Sequence, residues 1–552
     1  MAYKETMSRD QVILMDLESM IPEDSECRVI DIFCESLDMV ELGFKYSEVK
    51  ATGCPPYPPK SLLKLYLYGL LNRICSSGKL SIESKRNIEV IWLINGLQPS
   101  KRTLCYFKEN NKEALRKVFV EFNLFYKKIG LFGKKMAALD SVKVKANNSK
   151  KRNHNKKTVE STLKKTEERI SEYMTALEEA DKNEGFNEKR ELTSEQIKEI
   201  LAKLNAKKEK YESLQQQLEE SGETQISETD PASRCMKQGS GKGMDISYNT
   251  QVVTEAESKM IVDFETTNNG SDKGQLTEMG TRAKEFLETD TLVMTADTGY
   301  HDGKDMLEAE KNGITCLVPK GKPENQHSEE GYSRDKFVYD EEKDIYICPQ
   351  GQVLKNMRET IDYNNDPAFI YANYSACSNC PHRSKCTKGK YRQLSRKTFQ
   401  SEVDRLDARF IKRKGEYKKR QEIIEHQFGT IKWVWGFDRY YTKGIDFAQA
   451  ENALRFTAYN LRRAINMIGV NRLIELMKRL SSFLLSFKSL AIIVLCGIFH
   501  HIGLNSTTKS FSLRSFGTVC IRYSLFPAQC LRSIFLLRSF KNSNMVINTH
   551  NC

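Results

Sequence analysis

The spacing of hydrophobic residues divides the chain into segments with different predicted structures. Residues 1–130 have helical spacing, with apolar side chains clustered after the proline-rich GCPPYPPK and again in IEVIWLINGL (88–97). Gly, Pro and Ser separate these short runs. The pattern predicts an all-α N-terminal domain.

From Lys135 onwards the pattern changes to short strands. Apolar and polar residues alternate in KMAALDSVKVKA, which predicts a strand with Asp140 near its middle. Two more strands are predicted in 244–268, one in TLVMTADTGYHD (291–302) and one in GITCLVPKG (313–321), with helices at 273–288 and 303–312. This order predicts an RNase H-like α/β core, a mixed five-stranded sheet with helices, over residues 131–157 and 223–475.

A long insertion interrupts this core. From Val159 to Ala180, and again from Ile197 to Leu218, apolar positions recur at intervals of four and three residues. A polar stretch containing Gly185 separates the two runs. Residues 158–222 are therefore predicted to form an antiparallel helical hairpin of coiled-coil type, with a structural or partner-binding role.

Length and charge narrow the class of protein. The chain has 552 residues, 86 Lys and Arg against 73 Asp and Glu, and a net charge of +13. With 26 Phe and 23 Tyr it is not a disordered chain, and it is long enough for three or four folding units. The positive charge favours a polyanionic partner such as nucleic acid.

The two ends of the chain bear on localisation. The N-terminal residues lack an apolar signal segment, and no window of about 20 apolar residues exists. We therefore expect a cytoplasmic protein with reduced cysteines and no membrane span. Residues 476–552 are atypical, because 481–552 contain seven Lys and Arg and no acid. A read-through extension, or an added contact with membrane or DNA, explains such a tail.

Three carboxylates are candidates for metal ligands. Asp140 lies within the first predicted strand, Asp297 ends the fourth, and Glu425 lies in the basic helical segment 415–436 with Lys432 two turns later. Carboxylates from distant elements suit a two-metal site, in which ions activate the attacking oxygen and stabilise the leaving one. Any one of them, taken alone, is equally compatible with a structural or solvated acid.

Together these segments resemble the bacterial insertion-sequence transposases of the DDE superfamily, in a branch with a coiled-coil insertion and a cysteine cluster. LDSVKVKA, MTADTGYHD and YKKRQEIIEHQFGTIK are similar to its three catalytic blocks, the last to its Tyr-Arg-Glu-Lys signature. The spacing from Arg420 to Glu425 has four intervening residues where three is commoner. The N-terminal segment from YPPKSLLKLYLYG to FKENN resembles the helical domain that binds transposon ends.

The resemblance implies an activity and a set of residue roles. Asp140, Asp297 and Glu425 would ligate two Mg²⁺ (or Mn²⁺) ions for DNA strand cleavage and strand transfer. Tyr417, Arg420 and Lys432 would hold phosphates, and Tyr300 would stack on or position a nucleotide. The partners would be double-stranded DNA and further copies of the chain, as a homodimer or higher oligomer near the nucleoid. The cluster Lys150, Lys151 and Arg152 is either a solvated surface or a phosphate contact.

Cysteines suggest a second metal site. Cys377 and Cys380 form C-x2-C and Cys386 follows, while Cys348 lies earlier in YICPQG. This pattern suits a structural Zn²⁺ within an insertion spanning 340–390, with Cys348 or His382 as fourth ligand. Reduced free thiols are the alternative. For the whole chain, a catalytically inactive DNA-binding relic or repressor remains the alternative to an active enzyme.

Overall fold

The structure is a computed structural model, and it describes residues 15–48, 55–182, 194–238, 243–321, 330–362 and 365–479. The chain divides into two compact units. One contains residues 1–114 and 464–552, and the other contains residues 115–463.

The first unit is helical, as the sequence predicts. Ser25, Ser76, Asn87 and Ser100 begin its helices with side chains that accept backbone N–H groups. Nearly every side chain of the second helix is buried, including Lys64, whose ammonium group pairs with Asp31 and Glu35. The helices are α1 Glu26–Ser36, α2 Pro59–Leu71, α3 Ser77–Arg86, α4 Ile88–Leu93 and α5 Lys101–Asn110; α6 Lys112–Lys128 continues into the second unit.

The second unit is built on a mixed sheet. Its strands lie in the order β4-β5-β1-β7-β8, and β6 also pairs with β5. β1 is antiparallel to β5 and parallel to β7, which is parallel to β8. The strands are β1 Met136–Lys145, β4 Arg234–Lys237, β5 Met244–Glu255, β6 Ile261–Thr267, β7 Leu292–Thr295 and β8 Ile314–Leu317.

The prediction of five strands was one too few. β5 is twelve residues long, so a single edge of it accommodates two partners. Its first residues, from Met244 to Ser247, pair with β4, and those from Asn249 onwards pair with β6. The short segment that forms β4 carries no alternation that the sequence could reveal.

Helices connect and cover this sheet. α9 Leu276–Leu287 joins β6 to β7, and α10 Gly303–Lys311 joins β7 to β8. The long α16 Ile445–Ile468 packs on the sheet through a buried polar network, in which Asn452 contacts Thr250, Thr266 and Tyr440. All of its members are buried, so the network fixes the register of this helix on the sheet.

Two long helices follow β1, α7 Lys156–Lys182 and α8 Ser194–Ser221. Val159 and Leu163 pack against Leu214 and Leu218, so the helices run antiparallel. The short strands β2 Asn153–Asn155 and β3 Gln225–Ser227 pair at their base. The predicted turn around Gly185 lies outside the described residues, and the pair's identity as the family's coiled-coil insertion stays a prediction.

A second sheet was not predicted. Between residues 338 and 397 five antiparallel strands lie in the order β13-β12-β11-β10-β9. The sequence indicated only a cysteine insertion at 340–390, because most of these strands are short and the longest, at 353–361, is largely exposed. They are β9 Val338–Asp340, β10 Ile345–Ile347, β11 Val353–Ile361, β12 Pro367–Ala372 and β13 Gln393–Lys397; the short helices α11 Tyr374–Ser378 and α12 Arg383–Cys386 lie between β12 and β13.

The predicted basic helix at 415–436 is not continuous. α13 Gln400–Lys412 precedes α14 Lys414–Tyr417 and α15 Lys419–Phe428, and residues Gly429–Val434 form a π-helix. Trp435 N–H donates to the carbonyl of Thr430, five residues earlier, at 2.9 Å. This wider turn changes the helical phase between Glu425 and Lys432 from that of an uninterrupted α-helix.

Within the described ranges, no helix has the length and apolar character needed to cross a membrane. The predicted atypical tail begins at residue 476, and its residues from 480 onwards lie outside the part of the chain that the structure describes.

Candidate active site

The site is built first from two aspartates on neighbouring parallel strands. β1 and β7 pair up to Ala138 and Thr295, and the catalytic candidates Asp140 and Asp297 each follow two residues later. Residues at equal distance beyond a register pair lie at the same level of the sheet, and parallel neighbours are about 4.8 Å apart. Both carboxylates therefore reach the same edge of the sheet, at the carboxyl end of these strands.

A tight turn fixes Asp297. Its carboxylate accepts the N–H of Gly299 at 2.8 Å and caps the short 3₁₀ helix Thr298–Tyr300. A Cβ atom on Gly299 would lie 3.0 Å from Asp297 Oδ1 and 3.5 Å from Asp272 Oδ2. A side chain at this position would therefore crowd the Asp297 carboxylate, while a third carboxylate, that of Asp272, lies at ordinary contact distance from the same point.

Asp272 is a site residue that the sequence reasoning missed. It lies in the loop after β6, and its Oδ1 accepts the side-chain amides of Asn249 and Gln251, each at 2.8 Å. Both amides are fully buried on β5. The sequence does contain one signal for this contact. Asn249 and Gln251 are polar residues in a strand that is buried on both faces, and buried polar groups require a hydrogen-bond partner.

Tyr300 completes this arrangement. Its side chain is fully buried, and its hydroxyl group donates to Oε1 of Gln251. Burial raises the pKa of Tyr300 well above its ordinary value, and Asp272, Asp140 and Asp297 raise it further. The ring is buried in this structure, and the role of Tyr300 in stacking on or positioning a nucleotide stays a prediction.

The helix α15 brings a cation to Asp140. One stripe of this helix packs on the sheet, with Ile423 and Ile424 against Ala138 and with Gln427 accepting the hydroxyl of Thr254. Arg420 lies on the same stripe, and its guanidinium group is 3.0 Å from Asp140 Oδ2.

The electrostatics of Asp140 reflect these neighbours. Burial raises the pKa of Asp140 to about 6, Arg420 opposes the rise, and Asp297 and Asp272 add to it. Tyr417, at the end of α14, is half-buried beside Phe410. Burial raises the pKa of Tyr417, Arg420 lowers it and Asp297 raises it, so Tyr417 shares this electrostatic environment.

The structure does not bring Glu425 into the same contact. Glu425 is one position off the packed stripe of α15, is exposed, and accepts the amide of Gln421 at 2.7 Å. Lys432 is half-buried, and its ammonium group lies 3.4 Å from the carbonyl oxygen of Lys143 on β1. Among the described residues, no three His, Cys, Asp or Glu side chains are close enough to hold one metal ion.

The basic cluster lies elsewhere on the second unit. Lys150, Lys151 and Arg152 form an exposed 3₁₀ turn between β1 and β2, at the base of the helical pair. Arg152 contacts the hydroxyl of Thr229 at 3.5 Å. The exposed cations are accessible to a phosphate backbone.

The four predicted cysteine ligands line one small cavity. Cys348, Cys377, Cys380 and Cys386 surround about 40 Å³ beside Phe337 and Leu354. Burial raises the pKa of Cys386, Arg392 lowers it, and the other three cysteines raise it.

The geometry of this cavity favours one of the two predicted fourth ligands. The N–H of Gln352 donates to Sγ of Cys348 at 3.3 Å, which is compatible with a thiolate ligand. His382 instead stacks on Tyr332, with ring centroids 5.8 Å apart. The cavity therefore favours Cys348 over His382.

Two separate regions of the chain match models of known protein families. Residues 347–465 match the family model described as Transposase DDE domain, and residues 15–110 match Transposase domain (DUF772). No curated protein matches the sequence significantly.

One solved structure is similar over much of its length. The cryo-EM structure of a piggyBac transposase synaptic complex with hairpin DNA is 10% identical, with 81% of this chain and 83% of that chain covered and a TM-score of 0.22. So low a score carries no argument about fold or function. The match at 15–110 covers most of the segment predicted to bind transposon ends. The match at 347–465 covers the four cysteines and the third motif, around Glu425. Residues 15–110 and 347–465 are thus similar to transposase domains, and the second of these regions is similar to a DDE domain.

Proposed function

We propose that this transposase binds the terminal inverted repeats of an insertion sequence and catalyses divalent-metal-dependent cleavage of DNA strands and their transfer into target DNA. The observation that carries the proposal is the placement of Asp140 and Asp297 at one level of neighbouring parallel strands, with Arg420 beside them.

The strand order supports an RNase H-like core. Omitting the edge strand β4, the sheet has the order β6-β5-β1-β7-β8, with two antiparallel pairings followed by two parallel ones. The first strand in the chain lies at the centre and carries Asp140. The fourth of these strands in the chain leads into Asp297.

The donor set fits hard divalent cations such as Mg²⁺. Carboxylate oxygens are the ligands that Mg²⁺ prefers, and Asp272 Oδ2 has no hydrogen-bond partner among the described residues. Asp140 and Asp297 would hold the ions, and Glu425 would join them from α15. Bound there, such ions supply charge stabilisation for in-line phosphoryl displacement.

The remaining residues of the proposed site would orient the carboxylates and the DNA phosphates and neutralise part of their charge. Arg420 presents a planar, permanently charged group that suits a phosphate as well as the carboxylate of Asp140. Tyr417 lies beside it, and Lys432 supplies a cation above the end of β1. Gln251 and Asn249 hold Asp272 by hydrogen bonds, and Tyr300 in turn donates to Gln251.

We also infer a structural Zn²⁺ at Cys348, Cys377, Cys380 and Cys386. The four cysteines lining a single cavity supply the sulfur donors of a closed tetrahedral site, which has no open position for substrate, and their thiols would have to move closer together to share one ion. The ion would stabilise the fold of the second sheet rather than take part in strand cleavage.

The first unit is proposed to recognise the element's ends, and the helical pair α7–α8 to contact a partner. The cluster Lys150, Lys151 and Arg152 would add contacts to DNA phosphates. The protein would act as a homodimer or higher oligomer on DNA, in the bacterial cytoplasm.

The test is strand cleavage on duplexes that carry the sequences flanking the gene, in the presence of Mg²⁺. Wild-type protein should nick the 3′ ends of the element, and Asp297→Asn or Glu425→Gln should abolish nicking while DNA affinity stays within about twofold of wild type.

A matched control is available on the same helix. Glu422 is exposed and pairs with Lys259, so Glu422→Gln removes one carboxylate from α15 without touching the site and should retain cleavage. Cleavage by Glu425→Gln at the wild-type rate would exclude Glu425 from the site. End-specific binding without cleavage by wild-type protein would instead support the inactive DNA-binding relic.

A further inference from the structure

An acid-free stretch of chain surrounds three of the four cysteines. Residues 367–401 contain seven Lys and Arg and no Asp or Glu. Five of these cations lie in the segment that joins β12 to β13, residues 374–392, which we name the cysteine knuckle: Arg383, Lys385, Lys388, Lys390 and Arg392.

Three cations of the cysteine knuckle are exposed and lack an acidic partner. Arg383, Lys388 and Lys390 are exposed, and no ion pair links them to any acid in the part of the chain that the structure describes. By contrast, two cations on β13 are paired, Lys397 with Asp366 at 2.6 Å and Arg396 with Asp404 at 2.8 Å. Unpaired like charges concentrated on one loop repel each other, which is a cost unless an anion binds there.

The cysteine knuckle presents these cations on an ordered scaffold. Asn373 caps α11 by accepting the N–H of Ala376 at 3.0 Å and donates to the carbonyl of Val353 at 2.7 Å. Tyr374 and Tyr391 close its two ends with ring centroids 4.4 Å apart. A fixed loop gives up less conformational entropy on binding than a flexible tail would.

Arg392 is part of this scaffold rather than of the exposed set. Its guanidinium group donates to the carbonyl of Cys386 at 3.2 Å and lies 5.4 Å from the ring of Phe337. It therefore braces the loop from inside.

The positive charge persists whether or not zinc is bound. Four thiolates with one Zn²⁺ carry a net charge of −2, against the five cations of the cysteine knuckle. The loop then carries about +3, and with neutral thiols it carries +5. In both states it attracts a polyanion.

We propose that the cysteine knuckle is a contact surface for the phosphate backbone of duplex DNA. The proposal rests on the proposed function, because DNA is the polyanion on which a transposase acts. Arg and Lys side chains that bind phosphates without reading bases fix the position of a duplex and supply affinity. β13 ends at Lys397 and α13 begins at Gln400, so the chain leads from the cysteine knuckle through one strand into α13, α14 and then α15, which carries Arg420.

The test is a salt titration of binding to a fluorescent duplex of arbitrary sequence. The triple variant Arg383→Gln, Lys388→Gln, Lys390→Gln should reduce the slope of log affinity against log salt by roughly 0.9 for each phosphate that the variant no longer neutralises. At about 0.1 M salt the affinity should fall by about eightfold if one phosphate is involved and by about 500-fold if three are.

Two controls separate a specific surface from a general loss of charge. The control triple Lys336→Gln, Lys343→Gln, Lys355→Gln removes the same charge near the acid-rich turn at 340–344, between β9 and β10, and should leave the slope unchanged. A charge-retaining variant of the cysteine knuckle, Arg383→Lys, Lys388→Arg, Lys390→Arg, should restore the slope. Unchanged melting of the Gln variants shows that they fold.

The titration distinguishes failure of the proposed DNA contact surface from failure of the proposed function. A slope for the Gln variant of the cysteine knuckle equal to that of the control triple overturns the inference, even if the protein cleaves DNA. Absence of duplex binding by wild-type protein overturns the proposed function instead. Loss of binding to an acidic peptide, with duplex binding intact, assigns the surface to a protein partner and also overturns the inference.

Discussion

Replacing Asp140 by Asn should stabilise the metal-free second unit while abolishing strand cleavage. Burial raises the pKa of Asp140 from 3.8 to about 6, despite the opposing effect of Arg420. A raised folded-state pKa means that the folded protein binds this proton more tightly than the unfolded chain does. The stabilisation from that proton is complete below pH 3.8 and is lost as the pH rises through about 6.

The magnitude follows from the size of the shift. About two pKa units correspond to about 3 kcal/mol, which Asp140→Asn should recover at pH 7.5 and not at pH 3.5. The second unit spans residues 115–463, and for roughly 350 residues about 3 kcal/mol raises the melting temperature by about 4 °C.

The assay is thermal unfolding in EDTA across this pH range, with wild type and variant compared at each pH. Asp290→Asn, an exposed aspartate in the same unit, should show no such difference. Mg²⁺ should reverse the order by stabilising wild type alone. A melting temperature for Asp140→Asn below wild type at pH 7.5 in EDTA would show that the ion pair with Arg420 outweighs burial, and would refute the reasoning.

Three further perturbations test other parts of the molecule. Asp272→Asn keeps the shape of the side chain but removes a charge beside the catalytic carboxylates, and should lower the cleavage rate at least tenfold, measured under single-turnover conditions with DNA affinity unchanged. Freshly purified, reduced protein should contain about one zinc per chain by elemental analysis, and Cys377→Ser with Cys380→Ser should remove it. Gly69→Ala should destabilise the first unit by about 1–3 kcal/mol in urea unfolding, because its Cβ would lie 2.8 Å from a backbone carbonyl oxygen. Gly78→Ala is the control and should not destabilise it, because a Cβ on Gly78 would approach nothing nearer than 3.6 Å.

The sequence predicted those parts of the fold that have strong periodicity. The helices of the first unit, the alternating strand around Asp140 and the apolar strand before Asp297 all lie where the pattern placed them. The four-three spacing from Val159 also matches a buried stripe. These signals are local, since each element buries one face and the residue order alone shows which face that is.

Features that depend on a partner strand or a side-chain neighbour escaped prediction. β4 exists because β5 is longer than β6, and the five-stranded sheet near the cysteines is built from pairings between short strands. Similarly, the π-helix after Phe428 follows no propensity signal in GTIKWV. It still decides where Lys432 lies.

The same limit applies to the site. Motif resemblance named Asp140, Asp297 and Arg420, but it could not show that Arg420 binds Asp140 in the absence of metal. Nor could it reveal Asp272, whose importance depends on two amides from β5. Contacts between distant residues carry this information.

The acid cluster itself argues for a cation-binding role. Asp297 and Asp272 both raise the pKa of Asp140, so the three carboxylates repel one another in the metal-free protein. A purely structural site would gain stability by replacing at least one of them with a neutral residue. Arg420 offsets part of the repulsion through one carboxylate oxygen only, and its Nε remains buried without a partner among the described residues. Exchanging Arg420 at Asp140 for a divalent ion replaces one positive charge by two and frees the guanidinium group for a phosphate. The retained repulsion therefore supports the proposal of a site for metal ions and a polyanionic substrate.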